Sequence, residues 1–175
     1  MDQKHKLACS LTGNIFYLKQ MLLFKEMNDF LICDVNAKLN EKGIWCNPSR
    51  YDIEKAIESQ AFDKILKKKL KIQSSFTKNI ENSLKLKVLN LVGLSKKAGL
   101  LEIGYDKVVK SLKNNSIDVV LIAKEDSKLE SVFLKKIDER KILLNKNFSR
   151  SEISKAVGYK NVLCVAIMIS NLSAT

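Results

Sequence analysis

From Leu84 onward, strand-length apolar runs alternate with helix-length amphipathic stretches, and this alternation restricts the fold more than any other feature of the chain. Residues 101–103, 119–123, 142–144 and 162–169 read as strands, while 105–114 and the stretches after Ser127 and Ser149 read as helices. Ser127-x-x-Glu130 and Ser149-x-x-Glu152 have capping-box spacing, Phe148 and Ile153 stand at the positions of a hydrophobic staple, and Gly158 ends the last helix. The run 162–169 is rich in β-branched residues and is expected at the centre of the sheet. A helix with Leu84, Val88 and Leu91 on one stripe, widened by Leu89 and Val92, leads in and stops at Gly99. Helices alternating with short buried strands predict an α/β/α three-layer sandwich over residues 84–175.

The first half has a different texture. Residues 17–26 read as a helix, 30–33 as a strand, 36–42 as a polar turn ending at Gly43, and 44–46 as a second strand before Asn47 and Pro48, the only proline. Ser49-x-x-Asp52 opens a helix with Ile53, Ala56 and Ile57 inside, and a further helical segment from Ala61 places Phe62, Ile65 and Leu66 inward. Residues 1–72, with helices and strands mixed, read as a first small domain. Residues 73–83, serine-bearing and without a clean period, read as the linker between the two domains.

The 175 residues carry 31 Lys and Arg against 19 Asp and Glu, a formal net charge of +12. Such a surplus calls for an anionic partner, and nucleic acid is the commonest. Residues 1–82 hold 14 basic and 10 acidic groups, residues 83–175 hold 17 and 9, so the second half is the stronger electrostatic footprint. Only Arg50, Arg140 and Arg150 are arginines. Phosphate contacts would come mainly from lysine point charges, which favours holding a backbone over reading base edges.

Other chemistries find little support. Cys9, Cys33, Cys46 and Cys164 form no Cys-x-x-Cys pair and His5 is the only histidine, so the reading expects no zinc and four free thiols in a reducing cytoplasm. No leader or membrane-spanning stretch is read in the sequence, and no membrane partner is expected. A Ser, His and Asp set cannot be assembled, and no P-loop or dinucleotide fingerprint occurs. The expectation is a protein that is no enzyme and needs no cofactor.

The helix after Gly104 carries the sharpest candidate site. Val108, Val109 and Leu112 face inward, while Lys107, Lys110 and Asn114 share the outer face with Lys113 at its margin. Gly104 lets the chain approach a ligand closely, and the helix amides behind it suit a phosphate. Lys96 and Lys97 could add charge near the same edge, and an ordinary solvated helix face is the competing reading.

The segments Leu91-Val92-Gly93-Leu94-Ser95-Lys96-Lys97-Ala98-Gly99, 104–110 and Val119-Val120-Leu121-Ile122-Ala123 resemble the bacterial branch of the kink-turn-binding ribosomal protein family. The resemblance implies an α/β/α sandwich and an RNA signature Gly-x-Asn-Glu-x-x-Lys, onto which Gly104, Asp106, Lys107 and Lys110 fall. Gly and the final Lys are kept. Asp106 only accepts hydrogen bonds and repels phosphate, and Lys107 cannot accept as Glu can, so general RNA affinity survives these changes better than strict kink-turn recognition. Residues 161–168 resemble the family's last strand and preceding loop, which implies weak apolar contacts from Val165 and Ala166.

Residues 8–70 resemble the YlxR domain, an α+β fold associated with RNA. The resemblance rests on Ala8-Cys9-Ser10-Leu11-Thr12-Gly13, Lys38-Leu39-Asn40-Glu41-Lys42-Gly43-Ile44-Trp45 and Ala61-Phe62. Ala8 replaces the usual Arg, and Glu41-Lys42-Gly43 stands where the family has Gly-Arg-Gly. Binding in this half would fall to Lys42 with Gly43, Arg50, and the lysines from Lys64 onward, Lys68 among them. The order of the two segments resembles a fused two-domain architecture. It implies non-catalytic binding of structured RNA, with ribosomal RNA or ribonuclease P RNA as candidates. The alternative is a protein-interaction or assembly module associated with translation that has lost specific RNA recognition.

Overall fold

The computed structural model describes residues 6–36, 43–114, 117–137 and 142–168. It is a mixed α/β structure with several sheets, and the chain divides into two compact units, Met1–Leu84 and Lys85–Thr175.

In the first unit, β1 (Lys6–Ala8) and β2 (Ile15–Tyr17) form an antiparallel hairpin, followed by a 3₁₀ turn at Leu18–Gln20. Then β3 (Leu22–Met27), β4 (Phe30–Asp34) and β5 (Ile44–Cys46) make an antiparallel sheet in the order β4-β3-β5. The two residues joining β3 to β4, Asn28 and Asp29, both have positive φ, 51° and 67°. Two successive left-handed residues match the twist of a tight hairpin, and Asn and Asp adopt that conformation at low cost. Helices α1 (Arg50–Glu58) and α2 (Ala61–Leu66) cover the core, joined by the first turns of α3 (Phe76–Lys97). Phe24 lies at its centre, with ring centroids 5.1 Å from Phe62 and 6.2 Å from Phe76. Ser49 caps α1 as its spacing predicts, its Oγ accepting from the Asp52 amide at 3.2 Å.

In the second unit, β6 (Leu101–Ile103), β7 (Val119–Ala123), β8 (Leu143–Phe148) and β9 (Cys164–Ile167) form one sheet in the order β6-β9-β7-β8. The last strand is central, antiparallel to both neighbours, while β7 and β8 run parallel. Alternation along the strands supplies two cores. Leu121, Ala123, Val165 and Ile167 pack with Val92 of α3 and with Ile153 and Val157 of α6 (Arg150–Val157). Val120, Ile122, Cys164 and Ala166 pack with Val108 and Leu112 of α4 (Tyr105–Lys113) and with Phe133 and Ile137 of α5 (Ser127–Ile137). Helices therefore lie on both faces of the sheet. At α6 the full capping box forms: Ser149 Oγ accepts from the Glu152 amide at 3.2 Å, and Glu152 Oε2 accepts from the Ser149 amide at 2.6 Å.

Several sequence expectations change. Residues 17–26 form no α-helix: Tyr17 ends β2, Leu18–Gln20 is a single 3₁₀ turn, and Leu22, Leu23 and Phe24 belong to the middle strand of a sheet, where both faces are buried and the apolar run loses its alternation. Most of the stretch read as linker is helix: α3 begins at Phe76, and Phe76 and Ile80 are buried in the first core. Leu91 is 52% exposed, and Val88, Leu89 and Val92 supply the packed stripe instead. Ile65 also points outward. The cap of α5 is shifted by one residue, since Asp126 Oδ1, and not Ser127, accepts from the Leu129 amide at 3.0 Å. Strand β8 extends to Phe148, and β9 is shorter than the apolar run.

Candidate nucleic-acid interface

The register of the second sheet gathers four connections at one end. Ile103 pairs with Val165, Ile122 with Cys164, and Ala123 with Phe148. The chain segments that follow β6, β7 and β8, and the one that precedes β9, all leave from that row. Backbone hydrogen bonds hold them: Gly104 N to Cys164 O at 3.0 Å, Ala123 N to Leu163 O at 2.8 Å, and Lys124 N to Phe148 O at 2.9 Å.

Gly104 is the N-cap of α4, with φ 93° and ψ 156°, a conformation open almost only to glycine. A Cβ built there would meet nothing within 4 Å, so the space above the backbone is free. Beyond it Tyr105, Asp106, Lys107, Lys110 and Lys113 are exposed, while Val108 and Leu112 are buried and Val109 is partly so. The amphipathic division read from sequence therefore places the lysines in solvent and leaves the helix anchored by its apolar face.

Sequence reading missed a groove of about 900 Å³ at the same end of the sheet, lined by Arg150, Ser151, Ser154, Lys155, Tyr159 and Lys160, among others. Lys124 and Lys128 are also exposed near the same end of the sheet. These cations come from three different connections and only the register brings them together. Tyr159 is 55% exposed, with Lys96 Nζ 4.0 Å from its ring centroid. Such a ring offers a stacking face beside cations. Asp106 and Glu125 are the exposed acidic groups of this end, and Glu125 Oε2 accepts from the Arg150 amide at 3.0 Å.

The other predicted site residues fare differently. Lys97 is exposed, whereas Lys96 donates to Val157 O besides covering Tyr159 and is committed to holding α3 against the end of α6. Val165 and Ala166 are fully buried in β9, one in each core, and have no surface with which to touch RNA. In the first unit, Arg50 is paired with Glu54 at 2.9 Å and Glu81 at 2.8 Å, and hydrogen bonding to Glu54 raises its pKa. Lys68 bridges Asp29 at 2.7 Å and Glu26 at 3.1 Å, and those bonds raise its pKa likewise. Both cations sit in exposed ion pairs with carboxylates of their own chain, with which an RNA phosphate would have to compete. Gly43 answers an internal need: a Cβ there would lie 2.7 Å from Phe24 O and from Leu23 Cδ1, so glycine lets β5 approach β3. Lys64 is exposed, and Lys42 lies outside the described residues.

Among the described residues, no three or more His, Cys, Asp or Glu side chains are grouped to hold a metal ion, and no helix is long and apolar enough to cross a membrane. No protein-family description and no curated protein matches the chain. Solved structures similar to part of it include two at low TM-score. A protein with unknown function from Bacillus halodurans C is 22% identical, with a TM-score of 0.45, covering 49% of this chain and 88% of its own. The Giardia lamblia 15.5kD RNA binding protein is 20% identical, with a TM-score of 0.44, covering 54% of this chain and 82% of its own.

Proposed function

We propose that this chain binds structured RNA without catalysing a reaction, and that the cationic end of the second unit's sheet is its main contact surface. The observation that carries this reading is the strand register, which brings the separate connections bearing exposed Lys107, Lys124, Arg150 and Lys160 to the same end of the sheet as the open backbone of Gly104. Their net positive field attracts phosphates, and Tyr105 and Tyr159 supply exposed rings for unstacked bases. Lysines with few arginines fit backbone contact, so shape more than base identity selects the target.

The motif-level resemblances support a folded target such as ribosomal RNA or the RNA of ribonuclease P. With Arg50 and Lys68 paired internally, the first unit contributes the lesser share, through Lys64 and its neighbours. Titration of total bacterial RNA against the whole protein at two salt concentrations tests the reading. Binding should be evident at low salt and fall steeply at the higher one. No binding at low salt would remove it.

A further inference from the structure

Cys9 and Cys46 lie together in the core of the first unit, far in sequence from the cationic surface. The Ser10 amide donates to Trp45 O at 2.9 Å and the Asn47 amide donates to Cys9 Sγ at 3.3 Å, so the backbone fixes the two cysteines as neighbours. The Cys46 thiol is within hydrogen-bonding reach of the Cys9 sulfur. On its other side Cys9 opens a tight turn, with Gly13 N to Cys9 O and Cys9 N to Asn14 O both at 2.8 Å and Gly13 at φ 74°. That turn directs the Thr12 hydroxyl and the amides of Leu11 and Thr12 onto the same sulfur.

A sulfur surrounded by hydrogen-bond donors is arranged to carry negative charge. Burial pushes the Cys9 thiol up, but the Thr12 hydroxyl and the surrounding amides outweigh it and bring its pKa below the ordinary value. Burial pushes the Cys46 thiol well up, reinforced by Cys9 itself. One cysteine is thus poised as nucleophile beside another held protonated. Cys33 and Cys164 are both pushed up to about 12 by burial.

We propose that Cys9 and Cys46 are a peroxide-sensitive thiol pair that closes to an intramolecular disulfide. The Cys9 thiolate attacks one oxygen of a hydroperoxide, the O–O bond breaks, and Cys9 becomes a sulfenic acid as hydroxide or alkoxide leaves. The Cys46 sulfur then attacks the Cys9 sulfur, the S–O bond breaks, and the Cys46 proton leaves with the hydroxyl as water. The two sulfurs lose two electrons in all, and the peroxide gains them. Cys9 is only 2% exposed, but the residues above it, Ser10, Thr12, Gly13 and Asn14, are exposed, so lifting one short turn admits a small oxidant. The disulfide ties that turn to the end of β5.

The test treats the full chain with stepwise hydrogen peroxide, blocks remaining thiols with N-ethylmaleimide, and maps the peptides by mass spectrometry. A linked Cys9–Cys46 peptide should be the first oxidised product, with Cys33 and Cys164 still alkylated. Thr12→Val, at an exposed position, should slow its formation several-fold, and Cys46→Ala should abolish it and leave a Cys9 sulfenic acid that dimedone traps. If Cys46→Ala does not fold, the wild-type map and Thr12→Val decide. Oxidation of all four thiols at similar rates, or Cys9 still alkylated at peroxide doses that oxidise glutathione, would overturn the proposal.

Discussion

Glu125 Oε2 accepts a hydrogen bond from the backbone amide of Arg150 at 3.0 Å, which seats a carboxylate on the first turn of α6 at the cationic end of the sheet. There it complements the positive end of the helix, an effect of about 0.3–1 kcal/mol, but occupies an amide and repels an approaching phosphate. Glu125→Ala should therefore lower stability to urea by about that amount while tightening RNA binding about two- to fivefold. Equilibrium unfolding and filter binding on the same preparation check both signs.

Gly104 and Gly158 both have positive φ, 93° and 67°, but their demands differ. Gly158 is in the left-handed helical region as the C-cap of α6, where Ala costs about 1 kcal/mol. At Gly104 the combination with ψ 156° is nearly closed to other residues, and Gly104→Ala should cost about 1–3 kcal/mol although no atom blocks the new Cβ. Urea midpoints of the two variants should rank in that order.

Glu152 carries a pH dependence whose sign is fixed by its partners. The Ser149 amide, and then the Ser149 hydroxyl, hold its carboxyl below the usual carboxylate range. A lowered folded-state pKa adds stability above the unfolded value, near 4.5, and that contribution is lost as pH falls through the folded value. Wild type should exceed Glu152→Gln in unfolding free energy at pH 7, and the gap should narrow steadily below about pH 4.5.

The second unit was more legible in sequence than the first, for physical reasons. Its strands are short and separated by capped helices, so Ser149, Glu152 and Gly158 mark real boundaries. In the first unit Leu22-Leu23-Phe24 is buried on both faces, and such a run looks alike in strand and helix. The serines at 74, 75 and 83 suggested a linker, yet Phe76 and Ile80 anchor the helix there through long-range packing that no local pattern reveals. At the candidate site, the outward Lys107 and Lys110 followed from helical periodicity alone. The groove at Arg150, Lys155 and Lys160 depends on strand register, and the internal pairing of Arg50 and Lys68 depends on partners 31 and 42 positions away.

The central claim is tested most directly by the salt dependence of RNA binding for Lys107→Ala/Lys110→Ala. Both lysines are exposed and clear of the core, so the double variant should melt like wild type. A control, Lys135→Ala/Lys136→Ala, makes the same change in net charge at the C-terminal end of α5, away from the gathered connections. The account predicts that the first pair weakens binding at least about tenfold, near 1.4 kcal/mol, and makes the slope of log affinity against log salt shallower by roughly 1 to 2. The control should lose clearly less, and adding Asp106→Asn to the first pair should recover part of the affinity. Equal losses from both pairs, with no recovery from Asp106→Asn, would contradict the account and mean that this end of the sheet has no special hold on RNA.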